Sequence, residues 1–332
     1  MTATQKLAPK VPRTGARQPV KTWIVVVWLV PSAVFLAFAA LRLLGVTGNR
    51  YIIATVALTP YIGVIGLALG VVGLFMRRWI FGGIVLAFAM ISSAAVVPRM
   101  VTDNQPTVFG PQLTVMTANL YVGRADAVAL LDLVKQHNVD VLSMQELSPA
   151  MVQDLDRAGI DRVLPYRLFD AQRGASGSGL ASKFPLRQTQ IADPATFAQP
   201  SAIVDLPGVV DPEVLVVHTA PGVEAQWTGT WKAELAELPS ASEGKDKPRM
   251  LIGDFNATLD HPDLRDVVDR GYVDAGERRG AGLTPTWPAG IWPPPVTIDH
   301  ILVDGRCAVL DYQVFDLPGS DHRAAVATVN LP

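Results

Sequence analysis

Three apolar runs crowd the first hundred residues, and they constrain this chain more than anything that follows them. Trp23 to Ala40 carries no charged side chain, nor does Tyr51 to Met76, nor Trp79 to Pro98. A helix rising about 1.5 Å per residue needs roughly 20 mostly apolar residues to cross the hydrocarbon layer. Each run is long enough, and helices in soluble cores are rarely this apolar on every side. The expectation is a three-helix transmembrane region over residues 23–98. A cleaved signal peptide would explain the first run but not the other two. Trp23, Tyr51 and Trp79 stand at the helix starts, where amphipathic rings favour the interface. Gly66-Leu67-Ala68-Leu69-Gly70 has the spacing that lets two helices approach closely, and glycine is also simply common in membrane helices.

Charge divides the chain at the end of this region. Residues 1–112 hold ten basic residues and one acid, which leaves 18 basic and 29 acidic residues from Leu113 onward, a net charge of −11. A basic anchor is thus joined to an acidic domain. The tail over 1–22 has five basic residues, and Arg77 and Arg78 join the second and third runs; the opposite face collects Arg50, Arg99 and, marginally, Arg42. This asymmetry places the tail in the cytoplasm. Three crossings then make the chain a multi-pass protein of the cell membrane with residues 113–332 outside the cytoplasm. Residues 99–112 are polar and contain Pro and Gly, as a linker does; fully extended they span at most about 50 Å. Cys307 is the only cysteine, so neither an intrachain disulfide nor a Cys-based metal site is available.

Beyond the linker, short β-rich runs alternate with amphipathic helical ones. Strands are expected at 113–120, 139–147, 179–184, 202–206, 214–219, 250–253, 298–303 and 324–329, and helices at 125–137 and 223–238. Many strands with few helices predict an α/β domain of two packed sheets with helices outside. The polar residues of interest stand at strand ends, where a rigid element holds a side chain that still reaches solvent. They are Asn119, Glu146, His218, Asp254 and Asn256 in GDFN, Asp299 in TIDHIL, and Asp321 and His322 in GSDHR. Brought together, they would offer oxygen ligands to a hard cation with two histidines beside it.

The ordered strings TANL, QEL, SGLASKFPL, VVHT, GDFNA, TIDHIL and GSDHR resemble the endonuclease/exonuclease/phosphatase superfamily, a group spanning nucleases, phosphatases and sphingomyelinases. The resemblance covers 113–332 and implies a four-layer α/β sandwich of two packed mixed sheets with outer helices. It also implies hydrolysis of a phosphate mono- or diester by in-line attack of water, with Mg²⁺ or Mn²⁺ as cofactor. Glu146 would be the main metal ligand, Asn119 would hold the metal or its water, and Asp321 would stand close by. His322, oriented by Asp299, would take a proton from water or stabilise the pentavalent phosphorus. Asp254 would align the water, Asn256 would donate to the transition-state oxygen, and His218 would contact a non-bridging oxygen. Many nucleases of the group carry an acid or amide where Tyr121 stands, so one metal is favoured over two.

Each residue alone also has an ordinary structural reading: Asp254 and Asn256 suit a turn, and the histidines suit the core or the surface. His300 is expected to be structural, on the opposite face of its strand, with His137 and His261 on the surface. In the loop Thr284–Pro295, Trp287 is expected to pack on the core. The substrate classes left open are a phospholipid, a sugar phosphate or a nucleic acid. The acidic domain lacks the basic groove that a polyanion favours, while a short tether to the membrane suits a lipid or surface-linked ester. An extracellular nuclease and a catalytically inactive, membrane-tethered binding module are the alternatives.

Overall fold

A computed structural model describes residues 22–208, 210–241 and 247–332; the expected cytoplasmic tail (1–22) falls outside them apart from its last residue. The first apolar run is a single helix, α1 (Thr22–Leu43). The second breaks into α2 (Arg50–Ala57) and α3 (Thr59–Phe75), which meet at a bend of 72°. Pro60 causes the break, having no N–H to bond back to the preceding turn. The Thr59 hydroxyl donates to the Val56 carbonyl instead, at 2.6 Å. The third run forms α4 (Trp79–Ala94), 16 residues long. The expectation of three spanning helices is therefore corrected: among the described residues α1 alone is long and apolar enough to cross a bilayer, and the bent pair qualifies only if counted as one span.

These helices pack through glycine. A Cβ on Gly66 would strike the Phe35 ring of α1, one on Gly70 would lie 2.8 Å from the Leu86 Cα of α4, and one on Gly73 2.9 Å from the Gly82 Cα. The Gly66–Gly70 spacing thus serves close approach, since backbones can touch only where side chains are missing. Trp28 adds a hydrogen bond from its indole N–H to the Leu69 carbonyl at 2.8 Å.

After a short 3₁₀ turn at Val97–Met100 the sandwich begins. In chain order it comprises β1 (Gln112–Asn119), α5 (Ala127–Gln136), β2 (Val141–Gln145), α6 (Pro149–Ala158), β3 (Tyr166–Asp170), β4 (Ser178–Ser182), β5 (Leu186–Thr189) and β6 (Ser201–Val204). There follow β7 (Glu213–His218), α7 (Thr228–Glu237), β8 (Arg249–Asp254), α8 (Pro262–Val268), β9 (Tyr272–Asp274), α9 (Ala275–Arg278), β10 (Asp299–Asp304), β11 (Ala308–Asp316) and β12 (Arg323–Asn330). One sheet runs β11-β12-β1-β2-β4-β3 and the other β5-β6-β7-β8-β10-β9. Each is mixed, with one parallel pair at its centre, β1/β2 and β7/β8. A parallel pair needs a crossover, and α5 and α7 supply one each. Alternate residues divide between layers: Leu113, Val115, Met250 and Ile252 face the space between the sheets. Met116 and Ala118 face outward among the residues of α5 and α6, and Leu251 among those of α7 and α8. With both faces covered, central strands read as continuous apolar runs.

The helical region is clasped to this sandwich. Ile53 of α2 is buried in the cluster of Trp231 and Leu264. Asp260 receives Arg42 at 3.0 Å and Arg99 at 3.1 Å. His261 bonds the Ile53 carbonyl through Nε2 at 3.0 Å and is buried. Its expected surface position is thus corrected. Arg99, where the linker was expected to begin, is 3% exposed.

Candidate active site

The chain directions in the two sheets bring the strand-end residues to one edge. Asn119 ends β1 and Glu146 follows β2, and these strands are parallel. His322 precedes β12, which runs antiparallel to β1 and therefore starts where β1 ends. In the second sheet His218 and Asp254 end the parallel strands β7 and β8 in register with each other. Asp299 opens the antiparallel β10 directly opposite Asp254. Glu146, His218, Asp254, Asn256, Asp321 and His322 line one cavity of about 600 Å³. Asn119 and Asp299 stand just behind it, bonded to its lining.

Around Glu146 the site is rich in oxygen. Its Oε2 accepts the Val122 N–H at 2.6 Å, and its Oε1 takes a long bond of 3.3 Å from the Asn119 amide. The same amide donates to Asp254 at 3.1 Å. Burial raises the Glu146 pKa above the usual carboxylate value, with the hydrogen bonds from Val122 and Asn119 acting the other way and Asp321 adding to the rise. Asp321 accepts from the Trp287 indole N–H at 3.3 Å, while its other oxygen, Oδ1, is buried without a partner. A half-buried carboxylate with a raised pKa beside an unpartnered carboxylate oxygen is a donor set that suits a hard divalent cation.

The second half of the site is a hydrogen-bonded relay. His322 Nδ1 meets Asp299 at 2.9 Å, and its Nε2 lies 3.9 Å from Asp254. Burial disfavours the imidazolium, but the charge and hydrogen bond of Asp299, followed by Asp254 and Asp321, outweigh it and raise the His322 pKa to about 10. Burial and the nearby Asp299 charge raise Asp254 to about 7. One atom each of Asp254, Asp299 and His322 lie within 4.8 Å of one another. His322 Nδ1 is committed to Asp299, the Glu146 oxygens accept from Val122 and Asn119, and the Asn119 oxygen accepts the Tyr121 N–H at 3.0 Å, so the unpartnered carboxylate oxygens of the site are Asp299 Oδ1 and Asp321 Oδ1. His218, stacked on Phe197 at 4.5 Å, has an unpartnered Nδ1, and burial and the nearby His322 hold its pKa down at about 3. Asn256 gives one of its amide hydrogens to the Thr219 carbonyl at 2.9 Å.

Several supporting groups were not anticipated. Trp287, expected to pack on the core, instead lines the cavity and holds Asp321. Ser320 donates to the Asn119 carbonyl at 2.8 Å and accepts from the His322 N–H at 3.0 Å, tying the His322 turn to β1. Thr286 Oγ1 accepts the Asp299 N–H at 3.1 Å. Isolated Ser and Thr residues in loops carry no pattern that would mark them. His300 meets its expectation as a structural residue, bonded to Asp274 at 2.9 Å and to the Ala257 carbonyl.

Residues 116–322 match the Endonuclease/Exonuclease/phosphatase family. The chain belongs to this family. It is accordingly a hydrolase acting on phosphoester bonds, and the family generally employs a divalent metal. Among solved structures, a functionally unknown conserved protein from Enterococcus faecalis is 17% identical with a TM-score of 0.51, over 66% of this chain and 100% of that one. An AP endonuclease from Archaeoglobus fulgidus is 15% identical with a TM-score of 0.50, over 65% and 98%. Truncated Caenorhabditis elegans TDP2 is 16% identical with a TM-score of 0.50, over 66% and 98%. At such identities the likeness shows the shared fold of this family. No curated protein matches the chain.

Proposed function

We propose that this family member is a membrane-anchored, Mg²⁺- or Mn²⁺-dependent phosphoesterase that hydrolyses a phosphate mono- or diester by in-line attack of water. The observation that carries the reading is the pairing of an oxygen-rich pocket at Glu146 and Asp321 with the Asp299–His322 relay in one cavity. Glu146 and Asp321 would hold the ion, which supplies Lewis-acid polarisation of a phosphoryl oxygen, and Asn119, whose amide donates to Glu146 and Asp254, would orient those carboxylates. His322, kept as an imidazolium by its carboxylate neighbours, serves as a charged donor to the phosphoryl group as negative charge develops there. Asp299 fixes the ring orientation through Nδ1. Asp254, whose pKa of about 7 suits a base at neutral pH, aligns the water and takes its proton. Asn256 retains one N–H for the transition-state oxygen, and neutral His218 donates or accepts at a non-bridging oxygen without adding charge.

The anchor reading draws on α1, on the glycine-packed α3 and α4, and on the distribution of arginines. Arg42 and Arg99 pair with Asp260 of the sandwich, while Arg77 and Arg78 cap the far end of the helices. This arrangement supports an anchor that crosses once, through α1, with the sandwich outside the cytoplasm. A nuclease reading gains less support, because the sandwich half carries a net charge of −11 and a polyanion needs basic contacts.

The test uses the full chain purified in detergent, with bis-p-nitrophenyl phosphate as substrate. Turnover should appear with Mg²⁺ or Mn²⁺, vanish with EDTA and be lost in Glu146→Ala. Turnover that is indifferent to EDTA and to Glu146→Ala contradicts the mechanism, and no turnover at all favours an inactive binding module.

A further inference from the structure

The cavity that holds the catalytic groups is walled on one side by the anchor. Its lining includes Ile53, Ala54, Ala57 and Leu58, at the end of α2 and the bend that follows. A second, mostly apolar cavity of about 510 Å³ shares Ala57 and Val296 with the first and runs beside Tyr61, Val64 and Ile65 of α3, with the Arg99–Asp260 pair also in its lining. Val64 is 66% exposed and Ile65 55%, so this path opens on the apolar outer face of an anchor helix. The loop on the other side of the path agrees with it. Pro293 and Pro294 line the catalytic cavity, the Pro295 carbonyl accepts the Tyr61 hydroxyl at 2.7 Å, and the tip projects Ile291 and Trp292, 91% and 81% exposed. An exposed Ile-Trp pair beside an anchor helix is suited to the bilayer interface.

We infer that the substrate is a lipid phosphoester taken from the bilayer, with its phosphate at Glu146 and His322 and its hydrocarbon chain running past Ala57 towards Val64 and Ile65. The inference rests on the phosphoesterase reading above and adds the substrate class to it. A nucleic acid, charged at every step of its backbone, gains nothing from an apolar channel that leads to α3. A hydrocarbon chain gains with each methylene removed from water.

The test compares p-nitrophenyl hexadecyl phosphate with p-nitrophenyl ethyl phosphate, using the full chain in detergent micelles with Mg²⁺. The scissile bond is the same in both, so the ratio of their kcat/KM values reports chain recognition. The long ester should be favoured by at least about tenfold, a small part of what burying its extra methylenes offers. Filling the path with Ala57→Phe, or with Ala54→Phe at the exposed side of α2, should bring the ratio towards one. The ratio is read in whichever of the two variants retains turnover of the ethyl ester. Equal turnover of both esters, or faster hydrolysis of a single-stranded oligonucleotide, overturns the inference while leaving the phosphoesterase reading in place. A long-chain preference that survives the substitutions reflects partition into micelles and also overturns it. Failure to turn over any ester contradicts the phosphoesterase reading itself.

Discussion

Glu146, Tyr121, Val122 and Asn256 all have left-handed backbone, with φ of 57°, 47°, 56° and 48°. Non-glycine residues pay about 1–3 kcal/mol each for such conformations, and they persist where surrounding structure enforces them. Here the strain turns the Val122 N–H onto Glu146 and the Asn256 N–H onto Asp254. His322→Ala should lower kcat by about 10²–10⁴-fold and lower the melting temperature as well, because it strands the buried Asp299 carboxylate; turnover within about tenfold of the parent would remove the residue from the chemistry. The pH profile follows from two raised pKa values. Asp254, at about 7, must lose its proton to act, and His322, at about 10, must keep its own. The kcat/KM value should therefore rise through pH 7, hold a plateau, and fall near pH 10, with Asp254→Asn abolishing activity across the range. An acid limb at ordinary carboxylate values would remove Asp254 from the role of base. That the eight expected residues would gather at one edge was legible in the sequence because chemically distinctive side chains stand at the ends of apolar strands in a familiar order. The Val122 amide was not, since a main-chain donor leaves no mark in composition. Trp287 was misread because a tryptophan among prolines fits core packing equally well.

At the scale of elements, sequence and structure part along a physical line. The strands foreseen are interior ones, buried on both faces. The four that were not, β3, β5, β9 and β11, are the four sheet edges. Edge strands are short or half-solvated, and β11 carries an irregularity between Val309 and Asp311, so their hydrophobic periodicity is faint. The broken second apolar run follows from a single proline inside a stretch whose hydropathy is unbroken. Two predictions belong to the contacts between elements. Asp260→Ala strands Arg99 as a buried cation and should cost about 3–5 kcal/mol, read as a fall in thermal stability of the full chain; a change under 1 kcal/mol would mean that the clasp is solvated. His261 has a pKa lowered chiefly by burial. Below pH about 6.5 the unfolded chain takes up a proton that the folded one refuses, so its contribution to stability is complete above that pH and is lost as pH falls. His261→Gln should flatten this acid-side decline in a melting series.

Taken whole, the molecule is a hydrolase domain seated directly on its N-terminal helical region. The sandwich meets α1 and α2 and the turn after α4 through Arg42, His261 and Arg99, and these contacts hold α2 against the catalytic cavity. Compositional reading detected the two halves and their charge difference, but a contact such as Asp260 with Arg99 joins residues 161 positions apart and has no local signature. If the orientation is right, protease added to intact cells should digest the sandwich; protection until lysis would place it in the cytoplasm. The central claim is that Glu146 anchors a divalent ion within the family's hydrolytic site. Binding of Mn²⁺ to the full chain, followed by the electron paramagnetic resonance of the free ion, tests it most directly. The account predicts saturable binding that Glu146→Gln weakens by at least about tenfold, since even outer-shell partners cost that much; equal binding by the two proteins would contradict it.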